Sequence, residues 1–102
     1  MEFSQQLSTA TSLEVTNRYF TFGKTITGAD VSNLAKAVPP AKRILTGSNY
    51  DCDWEVKFRA GTNYLAAIHL NRDVIMIEGV QYRDGSGVVM ALWQKLAAES
   101  AR

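Results

Sequence analysis

Cysteine occurs once in the 102 residues, as Cys52, so a disulfide framework within the chain is excluded. A single thiol suits a reducing compartment. Histidine also occurs once, as His69. One histidine and one cysteine fall short of the four ligands of a structural zinc site, and no metal site and no cofactor are expected. The formal net charge is only +1, which gives no bulk reason to expect nucleic acid or an anionic membrane as partner. No apolar run approaches the ~18 residues needed to cross a bilayer. Residues 1–14, MEFSQQLSTATSLE, lack the basic flank and apolar block of a signal peptide. The expected location is therefore the cytoplasm.

What is there begins with Cys52 to Tyr82. Cys52, Trp54, Val56, Phe58 and Ala60 alternate with Asp53, Glu55, Lys57 and Arg59. Period-two alternation is that of a strand with one dry face, and it favours an antiparallel sheet, because buried parallel strands read as continuous apolar runs. Gly61-Thr62-Asn63 predicts a turn. A second strand follows from Tyr64 to Leu70, with Tyr64, Ala66, Ile68 and Leu70 on one side and Leu65, Ala67 and His69 on the other. Asn71-Arg72-Asp73 predicts the next turn, and Val74 to Tyr82 reads as one further strand. Its parity places Val74, Met76, Val80 and Tyr82 with Glu78, opposite Ile75 and Ile77. Gly79 predicts a bulge or a close backbone approach.

Upstream, residues 1–11 read as a frayed end or a single helical turn carrying Phe3 and Leu7. Ser12 to Phe22 is rich in β-formers, with a parity change that predicts a bulge or a short hairpin near Asn17-Arg18. Val31, Leu34, Ala35 and Val38 lie on one helix face, capped by Thr27 or Asp30 and stopped by Pro39-Pro40. Ala41 to Leu45 reads equally as helix or short edge strand, and residues 46–51 as loop. Val89, Leu92, Trp93, Leu96 and Ala97 form the apolar stripe of a last helix over 88–100, with Asp84 or Ser86 at its cap.

The expected fold is a single α+β domain over residues 1–102. It is a two-layer sandwich: an antiparallel sheet of four or five strands, in the order β-α-β-β-β-α, with both helices on one face. That arrangement leaves Leu65, Ala67, Ile75 and Ile77 on the reverse face, which is too apolar for free solvent. A homodimer interface is expected there, with a ligand cavity as the alternative.

Candidate chemistry is sparse. His69 has no nucleophile or carboxylate beside it in sequence, so it lacks an orienting partner, and no catalytic residue is assigned. Glu78 interrupts an apolar strand, which suggests a carboxylate facing a pocket lined by Trp54, Tyr64 and Tyr82. Arg83, Gly85, Ser86 and Gly87 open a helix, where backbone N–H groups can hold an anion, but the spacing matches no phosphate loop. Asp51 and Asp53 flank Cys52 without the spacing of a calcium loop. Lys42-Arg43 is too small to be a nucleic-acid patch. The expected function is a small non-catalytic binding or interaction protein, a homodimer acting on a protein partner. The alternative is a small-molecule binder, its ligand small and apolar, or an enzyme, with a pocket between a curved sheet and a helix that uses Glu78 or His69.

Overall fold

A computed structural model of the chain describes residues 3–19, 21–38, 42–44 and 53–100. In chain order its elements are α1 (Phe3–Leu7), β1 (Ser12–Asn17), β2 (Gly23–Thr27), α2 (Ala29–Ala37), β3 (Lys42–Ile44), β4 (Trp54–Ala60), β5 (Asn63–Asn71), β6 (Val74–Ile77), β7 (Val80–Arg83) and α3 (Val88–Ser100). The seven strands form one sheet in the order β2-β1-β4-β5-β6-β7-β3. Every pairing is antiparallel. The α+β class and the antiparallel sheet follow the expectation. The strand count and order do not, since the sequence reading gave four or five strands.

Two hairpins account for the extra strands. Of the bulge and the short hairpin expected near Asn17-Arg18, the hairpin forms: the chain reverses after Asn17 and β2 runs back along β1. Asn17 organises that reversal with its own side chain. Its Oδ1 accepts from the backbone N–H groups of Thr21 (2.8 Å) and Phe22 (3.1 Å), and its Nδ2 donates to Thr21 Oγ1 (2.7 Å). Asparagine readily closes a turn in this way. Gly23 begins β2. Val74 to Tyr82 is likewise two strands, paired Ile75 to Tyr82 and Ile77 to Val80. Glu78 and Gly79 form the two-residue turn with φ of 50° and 81°. Positive φ at both central residues matches the twist of a hairpin. Gly79 is therefore the second residue of a turn and not a bulge.

The bulge is elsewhere. Phe58 pairs with Ala66, but Arg59 pairs with Tyr64, so Leu65 is the extra residue on β5. The shift turns Leu65 inward against the core, while Tyr64 remains 52% exposed. Gln6 of α1 donates its Nε2 to the Leu65 carbonyl at 2.9 Å. Together with the fully buried Leu7, this bond docks α1 on the sheet.

One face of the sheet carries the core. Trp54, Leu70, Ile75 and Tyr82 lie in one cross-strand row, and Val15, Val56 and Ile68 in the next. They join Leu13, Phe58 and Ile77 with Val31, Leu34 and Ala35 of α2 and Val89, Leu92 and Leu96 of α3 in a single cluster. The helices thus cover one side, giving a slab 21 Å across its thinnest axis. The cap of α2 differs from expectation. Gly28, at φ 85°, takes the N-cap position without any side-chain hydrogen bond, so neither Thr27 nor Asp30 fills that role. Within the ambiguous stretch 41–45, Lys42–Ile44 is strand β3, and residues 46–51, expected as loop, lie outside the described residues. Pro39, Pro40, Asp51 and Cys52 lie outside the described residues.

The reverse face is not greasy. The two-residue turn at Arg72-Asp73, which pairs Ile75 with Leu70, and the bulge at Leu65 put Ile75, Ile77 and Leu65 on the helix side, and of the four apolar residues expected on the reverse only Ala67 stands there. One row across it reads Thr16, Glu55, His69, Met76 and Gln81. Ion pairs join Glu14 to Arg59 (2.7 Å) and Glu55 to Lys57 (3.7 Å). The apolar-face argument for self-association therefore loses its premise. Among the described residues no helix is long and apolar enough to cross a membrane.

Candidate functional site

The turn at Arg72-Asp73, the β1–β2 connection and the middle of α3 meet at one end of the slab. Main-chain bonds hold them together. Asp53 donates its N–H to the Leu70 carbonyl (2.9 Å) and accepts from the Arg18 N–H (3.1 Å), while Asp84 donates to the Asp73 carbonyl (2.8 Å). Side chains complete the frame. The Trp93 indole N–H donates to Asp53 Oδ2 at 2.8 Å. The Arg83 guanidinium donates to Asp73 Oδ2 at 3.1 Å. Phe22 stands edge-on to Trp54, with ring centroids 5.7 Å apart, an arrangement favoured by the quadrupoles of the rings.

Two adjoining clefts lie on this frame. The larger, about 620 Å3, is bordered by Arg18, Asp53, Arg72, Asp73, Arg83 and Trp93. The smaller, about 240 Å3, is bordered by Tyr19, Trp54, Trp93 and Ala97, with Arg18 and Asp53 again. Arg18, Asp53 and Trp93 are the shared wall. The Arg18 guanidinium also lies over the Tyr19 ring, 5.2 Å from its centroid, within the range of a cation–π contact. Tyr19 is 72% exposed, the most exposed large apolar side chain described.

Arg72 differs from the other two arginines. It has φ 56°, in the left-handed region where a side chain costs roughly 1–2 kcal/mol. It is exposed, and no described residue forms an ion pair with it. Among the described residues, three arginines against Asp53 and Asp73 leave the larger cleft one positive charge in excess.

The residues singled out from the sequence are scattered relative to this site. Trp54 floors the smaller cleft and Arg83 borders the larger. Tyr82 is half-buried and packs against the core. Tyr64 stands exposed beside the Leu65 bulge, opposite Arg59. Glu78 is exposed at the tip of the β6–β7 hairpin, at the end of β6 away from Arg72. Glu78, Trp54, Tyr64 and Tyr82 are thus not brought together around a pocket. His69 lies half-buried on the open sheet face, its Nε2 3.3 Å from Glu55 Oε2. Cross-strand pairing of β4 with β5 supplies that carboxylate; it was invisible in the linear sequence.

The start of α3 is occupied from within the chain. Asp84 is 5% exposed. Its Oδ1 accepts from the Ser86 N–H (3.0 Å) and Ser86 hydroxyl (2.6 Å), and its Oδ2 from the Val89 N–H (3.0 Å). Burial pushes the Asp84 carboxyl up, but the Ser86 hydroxyl and the two backbone N–H groups together outweigh it and hold the pKa below the ordinary value. The Ser86 and Val89 N–H groups thus already face a carboxylate, and the Val88 N–H faces the Ser86 hydroxyl (3.3 Å). On the open face, the hydrogen bond and charge of Arg59 lower the Glu14 carboxyl.

Among the described residues no group of three or more His, Cys, Asp or Glu side chains is placed to hold a metal ion. Arg18, Arg72 and Asp73 were not singled out from the sequence, because single arginines in turns carry no spacing signal; Trp93 was read only as part of a helix stripe. Comparison with known proteins finds no matching family model, no similar curated protein and no similar solved structure.

Proposed function

We propose that this chain is a non-catalytic binding module that engages a protein partner through the paired clefts between the Arg72-Asp73 turn and Trp93. The observation that carries this reading is the shared wall of Arg18, Asp53 and Trp93, which joins an arginine-rich cleft to an aromatic one. Arginine, tryptophan and tyrosine are the residues over-represented among binding hot spots. Here Trp54 and Trp93 stand on β4 and α3, and Arg18, Tyr19 and Arg72 stand in two short turns that join paired strands, which limits the ordering needed on association. A polyanion fits less well, because Asp53 and Asp73 lie between the arginines and would oppose successive phosphates.

Selection from a random peptide library, followed by mapping of amide chemical-shift changes, tests the reading. Selected peptides should perturb Arg18, Tyr19, Asn71 to Val74 and the Trp93 indole. A footprint centred on Glu14, Lys57 and His69 of the open sheet face would reject it.

A further inference from the structure

Resting on that reading, we propose the chemistry of the occupant: an extended peptide segment with one carboxylate, held by Arg72, and a nearby aromatic side chain, seated in the smaller cleft against Tyr19 and Trp93. The single carboxylate follows from the charges. Asp73 already neutralises Arg83 at 3.1 Å. Asp53 has its Oδ2 taken by the Trp93 indole N–H, and it stands with Arg18 in the shared wall. That leaves Arg72 as the cation in excess. A second negative group close by would meet Asp53 or Asp73. An arginine binds one carboxylate well, because its planar fork can donate two parallel hydrogen bonds.

The position of Arg72 supports the assignment. A non-glycine residue held in the left-handed region is uncommon, and such residues cluster at ligand clamps. Here Arg72 borders the larger cleft from the turn, and no described residue forms an ion pair with it.

The aromatic follows from the neighbouring space. About 240 Å3 is roughly eight times the ~30 Å3 share of one water molecule in the liquid, enough to admit a ring. Three of its walls are rings themselves, Tyr19, Trp54 and Trp93, and edge-to-face or offset contact with them adds to simple burial. Because the clefts share a wall, one segment spans both, and its carboxylate and ring lie near one another in sequence.

The test uses capped Gly/Ser peptides that carry one Glu and one Phe, separated by zero to three residues. They are titrated into the whole protein at millimolar concentration and followed by amide shifts. At least one spacing should bind with its footprint at Arg72, Trp93 and Tyr19. Changing its Glu to Gln should weaken it about tenfold or more, the scale of a charge-assisted pair. Arg72→Gln should weaken the Glu peptide equally but leave the Gln peptide nearly unchanged, and Arg72→Lys should retain part of the binding. Tyr19→Ala, at an exposed site, should weaken the Phe peptide and not its Phe→Gly version. If no spacing binds, if Glu and Gln peptides bind alike, or if Arg72→Gln weakens both alike, the proposal is overturned. A library-selected segment that maps to the clefts without a carboxylate and a ring overturns this inference alone, leaving the binding-module reading intact. Competition by a dT12 oligonucleotide also overturns it, in favour of a polyanion.

Discussion

Asp84 is the one buried charged side chain among the described residues, and it is tolerated because both carboxylate oxygens accept hydrogen bonds. Replacing it by alanine should cost roughly 1–2 kcal/mol at neutral pH, the scale of a lost helix cap, as measured by urea denaturation. The pH dependence follows from its lowered pKa. The unfolded carboxyl titrates near its ordinary value, about 3.9, and the folded one below that. Its stabilisation is therefore fully present above about pH 4 and is lost as pH falls through the folded value. The gap in stability between wild type and Asp84→Ala should accordingly narrow in acid; a gap that widened there would contradict the assignment. This cap was legible in the sequence, because Asp and Ser two residues apart before an apolar stripe spell a helix start. The linear chain does not show that the Asp84 carboxylate accepts from the Ser86 and Val89 N–H groups. A second residue-scale outcome concerns Glu78 at φ 50°. Asparagine tolerates that region better and forms the favoured pair with the following glycine. Glu78→Asn should raise stability by about 0.5–1 kcal/mol, seen as a higher Tm; a lower Tm would count against a turn at 78–79.

At the scale of elements, the β6–β7 hairpin decides which residues form the core. Read as one strand, Val74 to Tyr82 puts Ile75 and Ile77 opposite Tyr82. Read as a hairpin, it puts all three on the helix side. The signal was Gly79 after a charged residue, a weak form of the Asn-Gly pattern, and the apolar residues on both sides concealed the reversal. Alternation in β4 carried its own assignment correctly, because its polar positions are all charged. In β5 the bulge at Leu65 broke parity at a point marked by no glycine or proline. Paired substitutions test which face of β6 is buried. Ile75 is fully buried and Met76 half-buried on the open face. Ile75→Ala should cost roughly 2–5 kcal/mol, and Met76→Ala less than about 1. Equal costs, or the reverse order, would contradict the pairing of Ile75 with Leu70 and Tyr82 on the helix side.

For the molecule as a whole, the chain passes from the β2 edge through α2 to β3 on the opposite edge, then returns to β4 in the middle of the sheet. No local pattern announces that path. Amphipathic helices and alternating strands say that layers form, but not which edge the next strand joins. The candidate site depends on that path, because it brings the β1–β2 connection, the start of β4, the β5–β6 turn and α3 to one end. Arg18, Asp53, Arg72 and Trp93 are far apart in sequence, and only the assembled sheet makes them neighbours. The charges on the reverse face have a whole-molecule consequence too. Glu14–Arg59 and Glu55–Lys57 are solvent-accessible pairs, so Lys57→Ala should change stability by no more than about 0.5 kcal/mol, checked by thermal denaturation.

The most direct test of a function seated at the Arg72–Trp93 end is the indole N–H resonance of Trp93, followed while a library-selected peptide is added. The account expects this signal to move with saturation, because binding alters the surroundings of its bond to Asp53, while the indole of the buried Trp54 shifts less. A peptide that saturates the protein and leaves the Trp93 resonance in place would contradict the account.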